Sequence, residues 1–310
     1  MYIENNSLPN FFILGAQKSA TSTVHEWLLQ HKEISLPIIK ETHFFSDIEK
    51  YQKGLNWYLN KFDKRNNFKG EIDPSYLYVE QSILRIKEVY KDIPLKFIIL
   101  LRKPIERAFS HYLMSKYKGY EDLPFIDAIK AEKKRLLSSA NNKKYTLTKD
   151  LSVFSYIDRG NYFSQIKYLK NIFPESEILF IKFDDIVTNN KKTYRKICRF
   201  LNITPFKNID LNVNSNSSSE PKIKIVRNMI YDDSFFKKTF NFLVADEDVR
   251  RYIKKYIDNK NKKPISSDSK RIELSSYINE LPDIYRSWNN NEVVNLEKLI
   301  KLDLNKWIID

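Results

Sequence analysis

The sequence predicts an α/β fold, a single domain in which a mainly parallel central sheet is flanked by helices. Three observations carry this expectation. Apolar runs suited to buried parallel strands stand at residues 10–14, 96–101 and 177–183. Each is followed by a segment whose apolar residues recur at helical spacing. Strands alternating with helices build βαβ units, and the crossover helix makes neighbouring strands run parallel. At 310 residues one sizeable core can be buried, and nothing in the chain forces a second domain.

Phe11-Phe12-Ile13-Leu14 is apolar throughout, as a central strand covered on both faces requires. Val24, Trp27 and Leu28 place a helix over Ser22–His31. Residues 40–47 are irregular, and the aromatics Tyr51, Trp57 and Tyr58 suggest a short helix over Tyr51–Asn60. Asp73-Pro74-Ser75-Tyr76 is a turn and helix-start signal, because proline near the first helical position has no N–H to lose. Gln81–Tyr90 is helical. Lys96–Leu101 is the clearest strand, and Pro104–Lys118 is the helix after it. Asp122–Ser138 and Gly160–Phe173 read as helices, Glu177–Phe183 as a buried strand, and Lys191–Leu201 as a further helix. Polar stretches near 138–149, 212–222 and 260–269 read as flexible loops or linkers. Leu296–Ile309 closes the chain with an apolar-patterned helix, and there is no internal repeat.

An aromatic share of 14% argues against extended disorder. No run of 18 apolar residues offers a membrane span, and Met1–Asn6 lacks the basic and apolar regions of a secretory signal. The single cysteine, Cys198, excludes an internal disulfide and suits a reducing compartment, so a cytoplasmic location is expected. One cysteine and four histidines make a structural zinc site unexpected, and no metal is called for. The net charge, 53 − 39 = +14, favours anionic partners: nucleic acid, an anionic membrane surface or a phosphorylated ligand. Much of it is diffuse lysine among asparagine and isoleucine, a mixture that an AT-rich genome also produces. Charge alone therefore supports anion handling without choosing the anion.

Two loops are more specific. After the first strand comes Gly15-Ala16-Gln17-Lys18-Ser19-Ala20-Thr21-Ser22-Thr23. A helix starting near Thr21 presents unsatisfied N–H groups and a partial positive charge, Lys18 adds a mobile cation, and the hydroxyls add short donors. An ordinary capped helix is the plainer reading. The loop is not a Walker A sequence, since Lys18 stands mid-loop and no Gly-Lys-Ser/Thr ending follows. After the second strand, Arg102 leaves the sheet, Pro104 starts a helix, and Ser110 follows eight residues later. Arginine offers a planar fork to phosphate oxygens, and serine adds a directed donor. Arg107, by contrast, reads as a solvated residue or a partner for Glu106 or Glu71. Both loops fall at carboxyl ends of strands, where parallel sheets bind ligands.

These two segments resemble the 5′-phosphosulfate loop and the 3′-phosphate motif of sulfotransferases that use 3′-phosphoadenosine 5′-phosphosulfate (PAPS). The similarity runs on in order through Lys40-Glu41-Thr42-His43-Phe44-Phe45, Gly54-Leu55-Asn56-Trp57-Tyr58 and Glu71-Ile72-Asp73-Pro74-Ser75-Tyr76. It continues with Arg159-Gly160-Asn161-Tyr162, Phe173-Pro174-Glu175 and the closing Leu296-Glu297-Lys298-Leu299 to Trp307. It is strongest to the heparan sulfate N- and 3-O-sulfotransferase branch and its bacterial relatives.

The resemblance implies a P-loop-like sulfotransferase fold with PAPS as donor, adenosine 3′,5′-bisphosphate as product and no metal. It implies that Gln17, Lys18, Ser19, Ala20, Thr21, Ser22 and Thr23 hold the 5′-phosphosulfate, and that Arg102 and Ser110 hold the 3′-phosphate. Tyr162 and Lys222 join the nucleotide site on the same ground, Lys222 from a loop that closes over it. Glu41 matches the general base, Lys18 would neutralise the leaving phosphate, and His43 would orient the acceptor or share the base role. Against this, Glu41 has a simple partner in Lys40, and His43 a packing neighbour in Phe44. The implied acceptor is a hydroxyl or amine of a carbohydrate or glycoconjugate; no specific nucleic acid is implied, and peripheral membrane association stays open. Ala20 stands where glycine is common, Ile72 where animal enzymes carry lysine, and Ser46 where some carry an acidic residue. The alternatives are a P-loop-type nucleotide-dependent kinase or NTPase, suggested by Ile178–Asp185, and a non-catalytic basic binder of polyanions or nucleic acid.

Overall fold

A computed structural model describes residues 8–62, 68–137, 145–212, 219–231, 244 and 246–310. Its centre is a four-stranded parallel sheet in the order β2-β1-β3-β4. The strands are β1 (Phe11–Gly15), β2 (Gly70–Ile72), β3 (Lys96–Leu101) and β4 (Glu177–Lys182). Along the chain come α1 (Thr21–Leu29), α2 (Ile48–Gln52), α3 (Leu55–Leu59), α4 (Glu80–Tyr90), α5 (Pro104–Tyr117), α6 (Phe125–Leu136) and α7 (Lys149–Phe154). Then follow α8 (Tyr162–Ile172), α9 (Phe183–Thr188), α10 (Asn190–Leu201), α11 (Lys224–Tyr231), α12 (Glu247–Asn261), α13 (Ser267–Asn279) and α14 (Asp283–Ile300). A small antiparallel pair, β5 (Ser219–Pro221) and β6 (Lys262–Pro264), lies apart from the main sheet.

Alternation along the central strands splits the core into two layers, because successive side chains leave opposite faces of a sheet. Phe12 and Leu14 join Phe97, Ile99 and Leu101 under α4, α8 and α14, in contact with Ile83, Ile86, Ile166, Leu169, Val293 and Leu296. Phe11 and Ile13 join Ile98 and Leu100 under α1 and α10, against Val24, Trp27, Leu28, Tyr194 and Ile197. At about 25 cal/mol per Å² of buried apolar surface, these two layers are the main source of stability. α5 and α6 build a third cluster around Phe109, Tyr112 and Phe125.

Several expectations change. Residues 51–60 hold parts of two helices, separated by Gly54 at φ 81°, a conformation that glycine adopts without steric cost. Pro74 does not start a helix: the chain reaches α4 only at Glu80, after a turn in which the Asp73 N–H donates to Ile13 O (3.1 Å) and the Leu77 N–H to Leu14 O (3.1 Å). Instead Glu71 belongs to β2. β4 is an edge strand, half-exposed rather than buried. Part of the expected 138–149 and 212–222 loops lies outside the described residues; Lys149 opens α7 and Ser219–Pro221 is a strand. Residues 260–269 are no linker, since they contain the end of α12, β6 and the start of α13. The last long helix starts at Asp283 and stops at Ile300, where Lys301 takes a left-handed cap.

Candidate active site

The strand order makes β1 and β3 neighbours whose following segments lead to opposite sides of the sheet. Such a topological switch point leaves a crevice beyond the carboxyl ends of the strands. Both loops open into it, and the Ala16 N–H donates to Leu100 O, fixing one against the other.

Backbone conformation singles out the same place. Among the described residues seven non-glycines have positive φ, and four of them are Lys18 (71°), Ala20 (65°), Glu41 (64°) and His43 (57°). Left-handed backbone costs an L-residue about 1–2 kcal/mol, so surrounding contacts must hold it, and such clusters mark functional sites. Ala20 precedes α1 and provides no capping side chain, so the helix N-terminus stays available to an anion.

Lys18 is half-buried at this terminus. Burial, then the positive charges of Lys118, Arg102 and Lys270, push its ammonium down to about 7, against only one carboxylate, Glu41. Arg102 carries its guanidinium 4.2 Å above the Phe183 ring and donates to Glu106 Oε2 (3.2 and 3.3 Å). Lys270, on α13, is pushed down by burial and by Arg102. Lys118, capping α5, is pushed down by burial although Glu41 and Asp258 oppose that. Lys18 thus faces three further cations against one carboxylate, while Arg102 keeps Glu106 as its own partner, a charge excess that suits an anion with more than one negative centre. Gln17 Oε1 is buried with no hydrogen-bond partner among the described residues.

Tyr162 stitches the loops together. Its fully buried hydroxyl donates to Arg102 O (3.1 Å) and lies against Ser19, and burial pushes it up to about 12, so it remains a donor. Ser110 stands on the second turn of α5, partly exposed. Lys222 instead donates from its exposed Nζ to Lys260 O (3.1 Å), at the edge of the β5–β6 pair. Arg107 departs from both sequence readings: it is wholly buried, donates to Tyr156 O and Ser155 O, and leaves Glu106 to Arg102.

The loop between α1 and α2 supplies the acid–base groups. Glu41 accepts from Lys40 Nζ, and the same ammonium reaches Thr21 Oγ1 at 3.5 Å. Burial pushes the Glu41 carboxyl up, but Lys40, His43 and Arg251 outweigh it and hold it well below the usual range, at about 2. His43 Nδ1 stands 2.8 Å from Asp73 Oδ2, which also accepts the His43 backbone N–H (2.9 Å). Behind them Glu71 is fully buried, accepts from Thr42 N–H (3.2 Å), Thr42 Oγ1 and Tyr58 OH (2.5 Å), and is pushed up to about 7 by burial and by Asp73. Ile72, between these two carboxylates, turns into the apolar layer below the sheet.

Sequence reasoning missed Lys118, Lys270 and Arg251, which come from helices far along the chain and carry no local signal. Asp73 could have been found, because its spacing from Pro74 marks a turn at a strand end.

Fold and crevice together define an α/β protein with clustered cations at its switch point. The chain belongs to the sulfotransferase domain family, whose model matches residues 8–272. It is 28% identical over 203 residues to mouse heparan sulfate glucosamine 3-O-sulfotransferase 3B1, covering 64% of this chain and 47% of that one. It is 25% identical over 211 residues to human bifunctional heparan sulfate N-deacetylase/N-sulfotransferase 2, covering 65% of this chain and 23% of that one. The chain therefore spans less than half the length of these relatives. Its fold matches the crystal structure of a sulfotransferase from Alicyclobacillus acidocaldarius with a TM-score of 0.64 at 22% identity, over 97% of this chain and 98% of that one.

Proposed function

We propose that this protein moves a sulfuryl group from PAPS to a hydroxyl or amine of a carbohydrate or glycoconjugate. The observation that carries the reading is the convergence of Lys18, Arg102, Lys118 and Lys270 on the crevice that also holds ionised Glu41. PAPS is anionic at both ends, and the two loops offer donors at two ends of one crevice.

Residues 17–23 hold the 5′-phosphosulfate through the α1 terminus and the loop hydroxyls. Arg102, with Ser110 and Lys270, holds the 3′-phosphate. The acceptor oxygen or nitrogen attacks sulfur, the bond from sulfur to the 5′-phosphate oxygen breaks, and that oxygen keeps the electron pair. Lys18 stabilises its growing charge; in characterised sites one such donor supplies about 3–4 kcal/mol. Glu41 takes the acceptor proton. As a free carboxylate at about 2 it is a weak base, since Lys40 competes for it. A bound anion offsets the surrounding cations and raises Glu41 basicity, so donor binding and base strength are coupled. His43, oriented by Asp73, faces the acceptor side of this loop.

The test is transfer of radiolabelled sulfate from PAPS to a panel of glycans, with product mass and position determined. Labelled product and protection from heat by adenosine 3′,5′-bisphosphate without added metal support the reading. Magnesium-dependent ATP turnover with no labelled product overturns it.

A further inference from the structure

We infer that Arg251, on α12, is a positioning residue for Glu41: its guanidinium grips the main chain on both sides of the left-handed Glu41 backbone and so sets where the base carboxylate stands. This inference rests on the reading of Glu41 as the base. Arg251 Nη2 donates to Lys40 O (3.0 Å) and to Glu41 O (2.8 Å). Glu41 lies at φ 64° and His43 at φ 57°, so this loop holds two conformations that L-residues rarely adopt. One face of the loop is fixed by Asp73 and Glu71, which bind the N–H groups of His43 and Thr42. Arg251 takes the carbonyls on the other side. Main-chain groups of four successive residues, Lys40 to His43, are thus tied by ionisable side chains.

α12 is anchored for that task at both ends. Near its start Asp248 pairs with Lys61, and Glu247 pairs with Lys50 (3.3 Å) and Lys53 (3.3 Å). Near its end the buried Asp258 accepts from Tyr117 OH (2.8 Å) and pairs with Lys262 (2.7 Å). The helix therefore spans from α2 and α3 to the end of α5, and Arg251 projects between the anchors onto the base loop. A cavity of about 120 Å³, lined by Ile38, Ile39, Trp57, Lys61 and Arg251 among others, adjoins the guanidinium.

The charged groups facing Glu41 are Lys40 and His43 on its own loop, Arg251 on α12, Lys18 after β1 and Lys118 at the end of α5. Glu71 and Asp73 lie behind, on Thr42 and His43. Lys40 acts on the carboxyl more strongly than Arg251 does, so each removal has its own expected size.

The experiment compares wild type with Arg251→Ala, Lys40→Met and Glu41→Gln. Bisphosphate nucleotide affinity is measured by calorimetry, and sulfate release from labelled PAPS is measured to the best panel acceptor, or to water. Glu41 is titrated by NMR on ¹³C-glutamate protein, with Glu41→Gln assigning the resonance. Arg251→Ala should lower turnover on the order of 10²-fold, the cost of misplacing a reacting group by about 1 Å. Nucleotide affinity should hold. The Glu41 titration should move up, by less than in Lys40→Met. Free guanidinium at non-denaturing concentration should restore turnover, because the adjoining cavity has room for it. Wild-type turnover and titration in Arg251→Ala overturn the inference, as does a parallel fall in turnover and melting temperature that guanidinium leaves unchanged. Normal turnover in Glu41→Gln sinks the base reading instead, and the titration arm tells the two failures apart.

Discussion

One buried carboxylate stands against both the ring and the main chain of His43: Asp73 Oδ2 accepts the His43 N–H at 2.9 Å and lies 2.8 Å from His43 Nδ1. The other oxygen accepts the Ser75 N–H at 2.9 Å, so Asp73 is fixed by the turn that ends β2. An asparagine there keeps the volume but turns an amide N–H toward groups that need an acceptor. Asp73→Asn should therefore lower turnover about 10²-fold through misplacement of the loop. Bisphosphate affinity should be retained, since Asp73 touches neither anion loop. Equal losses of affinity and turnover would show that Asp73 supports the whole site instead.

Glu41→Gln removes the proton acceptor and keeps the shape. Nucleotide affinity should persist while transfer falls about 10²- to 10⁴-fold, the usual range for a lost general base. A turnover close to wild type, with the acceptor saturating, removes Glu41 from that role.

Lys18 makes donor binding pH-dependent. Its ammonium is pushed down to about 7, so the unliganded site loses this charge as pH rises through neutrality. Affinity for adenosine 3′,5′-bisphosphate should fall from pH 6 to 8, and proton uptake should accompany binding near pH 8. Lys18→Met should weaken binding and flatten that profile. The linkage has the opposite sign for folding. An unfolded lysine titrates near 10.5, so between about 7 and 10.5 the unfolded state binds more protons, and this group's contribution rises with pH. Calorimetric binding at three pH values in two buffers of different ionisation heat checks the proton count.

The central strands were legible because β1 and β3 are covered on both faces and Pro104 marks where the second ends. Three-residue β2 was not, since it is too short for any period and Asp73-Pro74 resembles a helix start as much as a turn. Little could be read of α11 to α13, whose half-exposed faces mix lysine with apolar residues and bury little. At the site, Lys18, Glu41 and Arg102 stand on loops with recognisable neighbours in sequence. Lys118, Lys270 and Arg251 reach it only by tertiary approach; Arg251 touches Glu41 across 210 positions.

Ala20 occupies the left-handed region at φ 65° directly before α1. Its Cβ carries strain that glycine does not, about 1–2 kcal/mol, set against the larger entropy of an unfolded glycine. Ala20→Gly should raise stability by roughly 1 kcal/mol. Urea unfolding measures it, and a loss of stability would mean that the methyl group packs more favourably than the backbone strain costs.

Glu71 gives the clearest pH signature of folding. Burial and Asp73 push its carboxyl up to about 7 from the ordinary glutamate value of 4.5. The folded state then binds the extra proton between those values, so the contribution is fully present below about 4.5 and is lost as pH rises through 7. Glu132 and Glu292 are also raised to about 7, chiefly by burial, and act in the same direction. The difference between wild type and Glu71→Gln isolates one of the three. Glutamine keeps one acceptor oxygen for Thr42, turns its amide N–H toward the Tyr58 hydroxyl, which can accept it, and has no proton to exchange, so wild type should lose stability relative to the variant between pH 5 and 8. Urea midpoints at four pH values give the slope. A wild-type curve parallel to that of Glu71→Gln would place the Glu71 proton outside this window and leave its hydrogen bonds from Thr42 and Tyr58 dominant over burial.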